Sequence, residues 1–141
     1  MTRNKIFLFL AVIVMFAGFN SKILAQSSPV LYFCESYTST DGEVNISDRF
    51  YPGYLTVMVK SDTELGLRDC SIQFDKYNPR TTSFEYYKKF EYEVKPTMKY
   101  IFFEKNSSSD LSFDEPGIYR VFLLDNRDRT VASALIEIIP R

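Results

Sequence analysis

From residue 29 onward the apolar positions recur every second residue rather than every third or fourth. Phe90, Tyr92 and Val94 oppose Lys89, Glu91, Glu93 and Lys95. Such alternation gives an extended segment one face for a core and one for water. Cys70, Ile72 and Phe74 alternate in the same way with Asp69, Ser71, Gln73 and Asp75. Ala132, Ala134, Ile136 and Ile138 align against Ser133 and Glu137. Between 54 and 60, Leu55, Val57 and Val59 are expected inward, with Thr56, Met58 and Lys60 outward. Further strands are predicted over 30–37, 43–47, 84–94, 98–104, 118–125 and 131–139. Turn chemistry separates them at Asp41-Gly42, Pro52-Gly53, Asn78-Pro79 and the polar stretch 106–110. Counting back in twos from Phe90 puts Lys88 inside, and a bulge near Tyr87-Lys88 is expected to re-aim it. No sustained helical period appears. About eight strands with this spacing predict an all-β antiparallel β-sandwich or barrel.

Residues 1–25 break the pattern. Arg3 and Lys5 precede an uninterrupted apolar and small run from Ile6 to Phe19, which Asn20, Ser21 and Lys22 end before Ala25. This reads as a secretory signal peptide, and the run is shorter than a membrane-spanning helix requires. Cleavage near Ala25 is expected, one or two residues either side because Ile23 is bulky; a retained anchor is the alternative. A lipoprotein signal does not fit, because Cys34 follows Leu31, Tyr32 and Phe33 rather than small residues. The expected organisation is a signal peptide over 1–25 and one domain over 26–141, secreted or periplasmic, with no stable membrane insertion once the signal is cleaved.

Composition then excludes chemistry. The 141 residues contain no His and two Cys. Imidazole bases, Ser-His-Asp and Cys-His nucleophile pairs, and imidazole-dependent zinc sites are all ruled out. Removing 1–25 leaves 14 basic and 18 acidic side chains, a net charge of -4. That balance argues against nucleic acid and anionic membranes as partners. In an oxidising compartment Cys34 and Cys70 are candidates for one disulfide, closing a loop of about 36 residues and contributing roughly 4 kcal/mol. Two buried free thiols are the alternative.

Asp114-Glu115-Pro116-Gly117-Ile118-Tyr119-Arg120-Val121 resembles the turn and penultimate strand of immunoglobulin-like sandwiches. The segment from Val131 is similar to their closing strand. The chain as a whole resembles small exported β-sandwich proteins of bacteria. The resemblance implies a tyrosine hydroxyl returned to the corner backbone, and it concerns architecture only. It departs from antibody domains in having Val121 where the second cysteine would stand, and no Trp.

Candidate binding residues are Phe50, Tyr51 and Tyr54 around Pro52-Gly53. Aromatics clustered at one turn suit an anchor for a protein partner or a stacking platform for sugar rings. Sealing the end of the sandwich is the competing use. The segment 84–90 mixes aromatics with two lysines, but a strand with one buried and one wet face explains it better than a nucleic-acid platform. Asp110, Asp114, Glu115, Asp125 and Asp128 read as solvated loop charge. Asp114 and Asp125 flank opposite ends of one strand, more than about 20 Å apart, so they do not share a metal ion. No cofactor is expected. The expected function is that of a non-catalytic module binding another exported protein through an end loop or a strand edge. A carbohydrate-binding accessory protein using the same aromatics is the first alternative. A signal-anchored structural component of the envelope is the second.

Overall fold

The computed structural model describes residues 28–106 and 109–141. Residues 1–25, for which a signal peptide is expected, lie outside them. The strands, in chain order, are β1 (Val30–Cys34), β2 (Ser36–Thr38), β3 (Gly42–Val44), β4 (Arg49–Phe50), β5 (Gly53–Tyr54), β6 (Thr56–Lys60), β7 (Asp69–Asn78), β8 (Ser83–Glu93), β9 (Tyr100–Phe103), β10 (Ser112–Phe113), β11 (Gly117–Asp125) and β12 (Thr130–Ile138). No helix among the described residues is long and apolar enough to cross a membrane.

Two sheets face each other. One is three-stranded, in the order β1-β6-β9, and the other five-stranded, β4-β12-β11-β7-β8. Neighbours are antiparallel except β4, which runs parallel to β12 through Glu137↔Arg49 and Ile138↔Phe50. A two-stranded β5-β10 ribbon and a β2-β3 hairpin complete the fold. The core lies between the main sheets. Leu31, Phe33, Val57, Val59, Ile101 and Phe103 meet Ile72, Phe74, Val121, Leu123, Ile136 and Ile138. These are the alternate positions of their strands, as period-two patterning requires.

The architecture is an immunoglobulin-like β-sandwich, and its corner is built as the resemblance implied. The Tyr119 hydroxyl donates to the carbonyl of Glu115 at 2.8 Å. Gly117 enters that strand at φ +147, where a Cβ would meet the Lys76 side chain at 3.1 Å. A glycine therefore suits both the backbone angle and the space.

Local boundaries differ from expectation where the chain leaves a sheet. The predicted strand 30–37 breaks at Glu35, because β2 departs to form the hairpin with β3 (Tyr37↔Glu43). Met58 and Thr56 do face away from the main core, through Tyr32↔Met58 and Cys34↔Thr56. Both are nevertheless buried. The three-stranded sheet is thus covered on both faces. The bulge falls at Tyr87, as the register passes from Phe74↔Lys88 to Asp75↔Tyr86.

Candidate functional site

The three aromatics of the Pro52-Gly53 turn border one groove but differ in burial. Phe50 sits on β4 beside Ile138, is 8% exposed and belongs to the core. Its pairing with β12 carries its ring towards the core, and it also borders the groove at this turn. Tyr51 and Tyr54 are each 55% exposed. They line a groove of about 540 Å³ with Ile46, Arg49, Arg141 and the hydrogen-bonded pair Glu35–Asn45. The groove floor is rigid on one side, since Glu137 and Ile139 donate to the carbonyls of Asp48 and Phe50, each at 2.8 Å. The Lys105 ammonium stands 4.0 Å from the centroid of the Tyr54 ring and occupies one of its faces.

The cysteines are not bridged. Cys34 and Cys70 are both free and buried. Cys34 lies on the outer face of the three-stranded sheet, opposite Thr56, whereas Cys70 points into the core from the other sheet. Cys34 is level with the Ser47–Asp48 end and Cys70 with Asp125. About five to six strand residues, roughly 18 Å, separate those levels. A disulfide needs Cα atoms within about 7 Å. Burial pushes the Cys70 thiol up to about 11. Burial, and then the Glu43 charge, raise Cys34 as well. Neither is a thiolate at neutral pH.

A second polar cluster had no local signal in the sequence. Tyr32, Lys60 and Tyr100 come from β1, β6 and β9, on the outer face. The hairpin lays Glu43 among them. Its Oε1 accepts from both the Tyr32 and Tyr100 hydroxyls, and the Lys60 ammonium lies 2.9 Å away. The ammonium also stands 4.9 Å from the Tyr100 ring centroid. Tyr37 packs on Phe102 at 4.6 Å and edge-on to Tyr100 at 5.7 Å. The Tyr100 and Tyr32 hydrogen bonds, followed by Lys60, hold the Glu43 carboxyl down at about 2. Burial, and then Glu43, push both tyrosines up, and the Glu43 hydrogen bond raises Lys60. Every proton is therefore held in place around neutrality. The cluster pins a hairpin and offers no group poised for proton transfer. Only the cross-strand register brings these four residues together, so no spacing along the chain announces them.

Lys88 does point inward, opposite Phe74, even with the bulge. Its ammonium lies within 6.0 Å of the Phe74, Tyr87 and Phe90 ring centroids and reaches Asp114 at 3.2 Å. The buried stem and outward charge resolve the conflict that the bulge was expected to remove. Asp114 is lowered by its hydrogen bond from Ser112 and then by Lys88.

The remaining loop acids have local partners. Glu115 pairs with Lys76, Asp128 with Lys89 at 2.5 Å, and Asp125 with Arg129 at 2.7 Å. The Asp125 carboxyl lies at about 2, held first by the Arg129 amide and then by the Arg127 amide. Among the described residues no group of three or more Cys, Asp or Glu side chains is placed to hold a metal ion.

No family model matches the chain, and no curated protein matches it. Among solved structures, an immunoglobulin-like protein from Pseudomonas aeruginosa is similar at 12% identity and a TM-score of 0.44, spanning 82% of this chain and 99% of its own. A superoxide reductase (neelaredoxin) from Ignicoccus hospitalis is similar at 13% identity and a TM-score of 0.39, spanning 81% of this chain and 80% of its own. These likenesses are too distant to carry activity, ligands or residue roles.

Proposed function

We propose that the protein is a non-catalytic, exported β-sandwich module that binds another exported protein at the end carrying Tyr51 and Tyr54. The observation that carries this reading is the groove of about 540 Å³ in which both half-exposed tyrosines stand beside Ile46. Exposed aromatics on a strand-fixed floor suit a partner's apolar side chain. Arg49, Arg141 and the Glu35–Asn45 pair add a polar rim. Catalysis finds little support, with both thiols protonated at neutral pH and Glu43 committed to three donors.

A carbohydrate ligand is the second reading, favoured by the Glu35–Asn45 pair, whose planar groups suit vicinal hydroxyls. Sugar stacking needs a free ring face, and Lys105 leaves Tyr54 only one to offer. Affinity capture from the exported fraction tests the first reading. A protein retained by the wild type and lost from the Tyr51→Ala/Tyr54→Ala double variant supports it. Retention unchanged by that variant refutes the site. Binding to immobilised glycans that the same variant abolishes selects the carbohydrate reading.

A further inference from the structure

We propose that two copies of this chain pair antiparallel along the free edge of β8, about a two-fold axis at Phe90, extending the five-stranded sheet across the dimer. This surface is separate from the tyrosine groove, and the inference does not rest on the function proposed above.

β8 is the terminal strand of its sheet and has eleven residues. The opposite edge, β4, has two. Among the described residues no strand pairs with the outer side of β8. A long unpaired edge is a template for another strand unless the fold blunts it. Here only the N-terminal half is blunted by its backbone and an inward charge, while the C-terminal half carries outward charges of both signs. The bulge at Tyr87 and the inward Lys88 disrupt the N-terminal part. Residues 89–93 carry neither device. The groove of about 700 Å³ beside them runs over the β7–β8 pair, lined by Asp69 and Ser71 as well as Lys89, Glu91 and Glu93, and leaves the backbone edge of β8 to one side.

The backbone fixes which groups are free. The Val94 amide donates to the Arg68 carbonyl at 2.7 Å. Peptide groups alternate in direction along a strand, so those of Tyr92 and Phe90 also aim at β7, while those of Lys89, Glu91 and Glu93 aim outward. A two-fold pair must match these outward residues with one another. Centring on residue 89 opposes lysine to lysine, centring on 91 sets two Lys89–Glu93 pairs around glutamate opposed to glutamate on the axis, and centring on 93 opposes glutamate to glutamate. Centring midway between 91 and 93 again opposes glutamates. Only the axis at Phe90 sets Lys89 against the second copy's Glu91, twice, with four backbone hydrogen bonds. Opposite charges stabilise such cross-strand pairs and like charges disfavour them. Glu91 has no ion pair among the described residues, and Lys89 holds only the exposed Asp128.

The chemistry of recognition is thus main-chain hydrogen bonding with a register set by charge. Sedimentation of the purified protein across a concentration series reads it. Wild type is expected to show a monomer–dimer equilibrium. Lys89→Glu and Glu91→Lys should each weaken it by about tenfold or more, since each places like charges in contact. The double variant K89E/E91K restores opposite charges and should recover dimerisation to near wild type. Thermal melts check that each variant is folded. Mild oxidation of Phe90→Cys supplies a second readout. Facing residues at the axis form a non-hydrogen-bonded pair with Cα atoms about 4.5 Å apart, close enough for a disulfide. A cross-linked dimer is expected there and not with Tyr86→Cys. The Tyr51→Ala/Tyr54→Ala variant should dimerise normally. A monomer at every concentration, or a double charge swap that fails to restore association, overturns the proposal.

Discussion

The two faces of the β1-β6-β9 sheet are both covered, by different physics. The inner face presents Leu31, Phe33, Val57, Val59, Ile101 and Phe103 to the opposite sheet. Its stability comes from apolar area withdrawn from water and from close packing, neither of which depends on protonation. The outer face presents Tyr32, Cys34, Thr56, Met58, Lys60, Tyr100 and Phe102, closed over by a hairpin of two three-residue strands. So short a hairpin does not hold itself. It is held where Tyr37 meets Phe102 and where one carboxylate collects two hydroxyls and an ammonium. One face is therefore vulnerable to changes of volume and the other to loss of a single charge.

The sharpest way to break the core that covers the inner face is Phe74→Ala, across from it on β7 of the opposite sheet. Phe74 is fully buried and contacts Phe113 at 4.8 Å and Phe90 at 6.2 Å between ring centroids. Removing the ring should cost about 3–5 kcal/mol, and urea melts should show one cooperative transition at lower midpoint. A loss under about 1 kcal/mol would mean that the site collapses on to the void, and the contrast in vulnerability would fail.

The outer face should break with acid instead. The Glu43 carboxyl lies at about 2 in the folded protein, below its ordinary 4.5. A depressed carboxyl contributes stability that is complete above about pH 4.5 and fades as pH falls through about 2. The contribution should be about 2–3 kcal/mol, read first as faster amide exchange at Glu35, whose N–H bonds the Val44 carbonyl at 3.0 Å. Glu43→Gln should lower stability at neutral pH and remove this part of the acid limb. The part due to Asp125, also held at about 2, should remain. An unchanged acid limb in Glu43→Gln would show that the hairpin rests on its apolar contacts alone.

Tyr119 asks how a polar tip behaves inside the apolar layer. The ring is fully buried beside Phe113 and Tyr87, and burial raises its hydroxyl. Tyr119→Phe keeps the packing and removes one bond to the Glu115 carbonyl. A loss of about 0.5–1.5 kcal/mol is expected by denaturant titration. A substantially larger loss would make the corner a structural pin comparable to the Glu43 cluster.

Legibility in the sequence followed the same division. β7 and β12 were readable because each has a mostly apolar inner row and a more polar outer one, as in Cys70-Ile72-Phe74 and Ala132-Ile136-Ile138. The corner was readable because Gly117 and Tyr119 are local neighbours. Thr56 and Met58 misled, since alternation placed them correctly away from the core but said nothing of a hairpin returning over them. The burial of Phe50 was hidden for a related reason: its place is set by Ile138, distant in sequence, and not by the adjacent turn alone. Glu43 was invisible because its partners lie on three other strands. Local periodicity reports which way a side chain points, whereas what covers it is a tertiary matter.

Lys88 is the exception that sharpens the contrast, a charge at the margin of the inner face. Its stem lies along Phe74, Tyr87 and Phe90, and its ammonium reaches Asp114. Desolvation of the lysine opposes its attraction to a carboxylate that is itself largely exposed. Lys88→Met keeps the apolar stem, and Asp114 retains the Ser112 hydroxyl at 2.7 Å. Stability should therefore change by less than about 1 kcal/mol in either direction. The edge should respond more than the fold does, because an inward lysine is one of the two devices that blunt β8. With methionine there, the paired stretch should lengthen towards Tyr87 and self-association should strengthen while the melting curve hardly moves. A large destabilisation would instead place Lys88 with Glu43, as a charge on which its face depends.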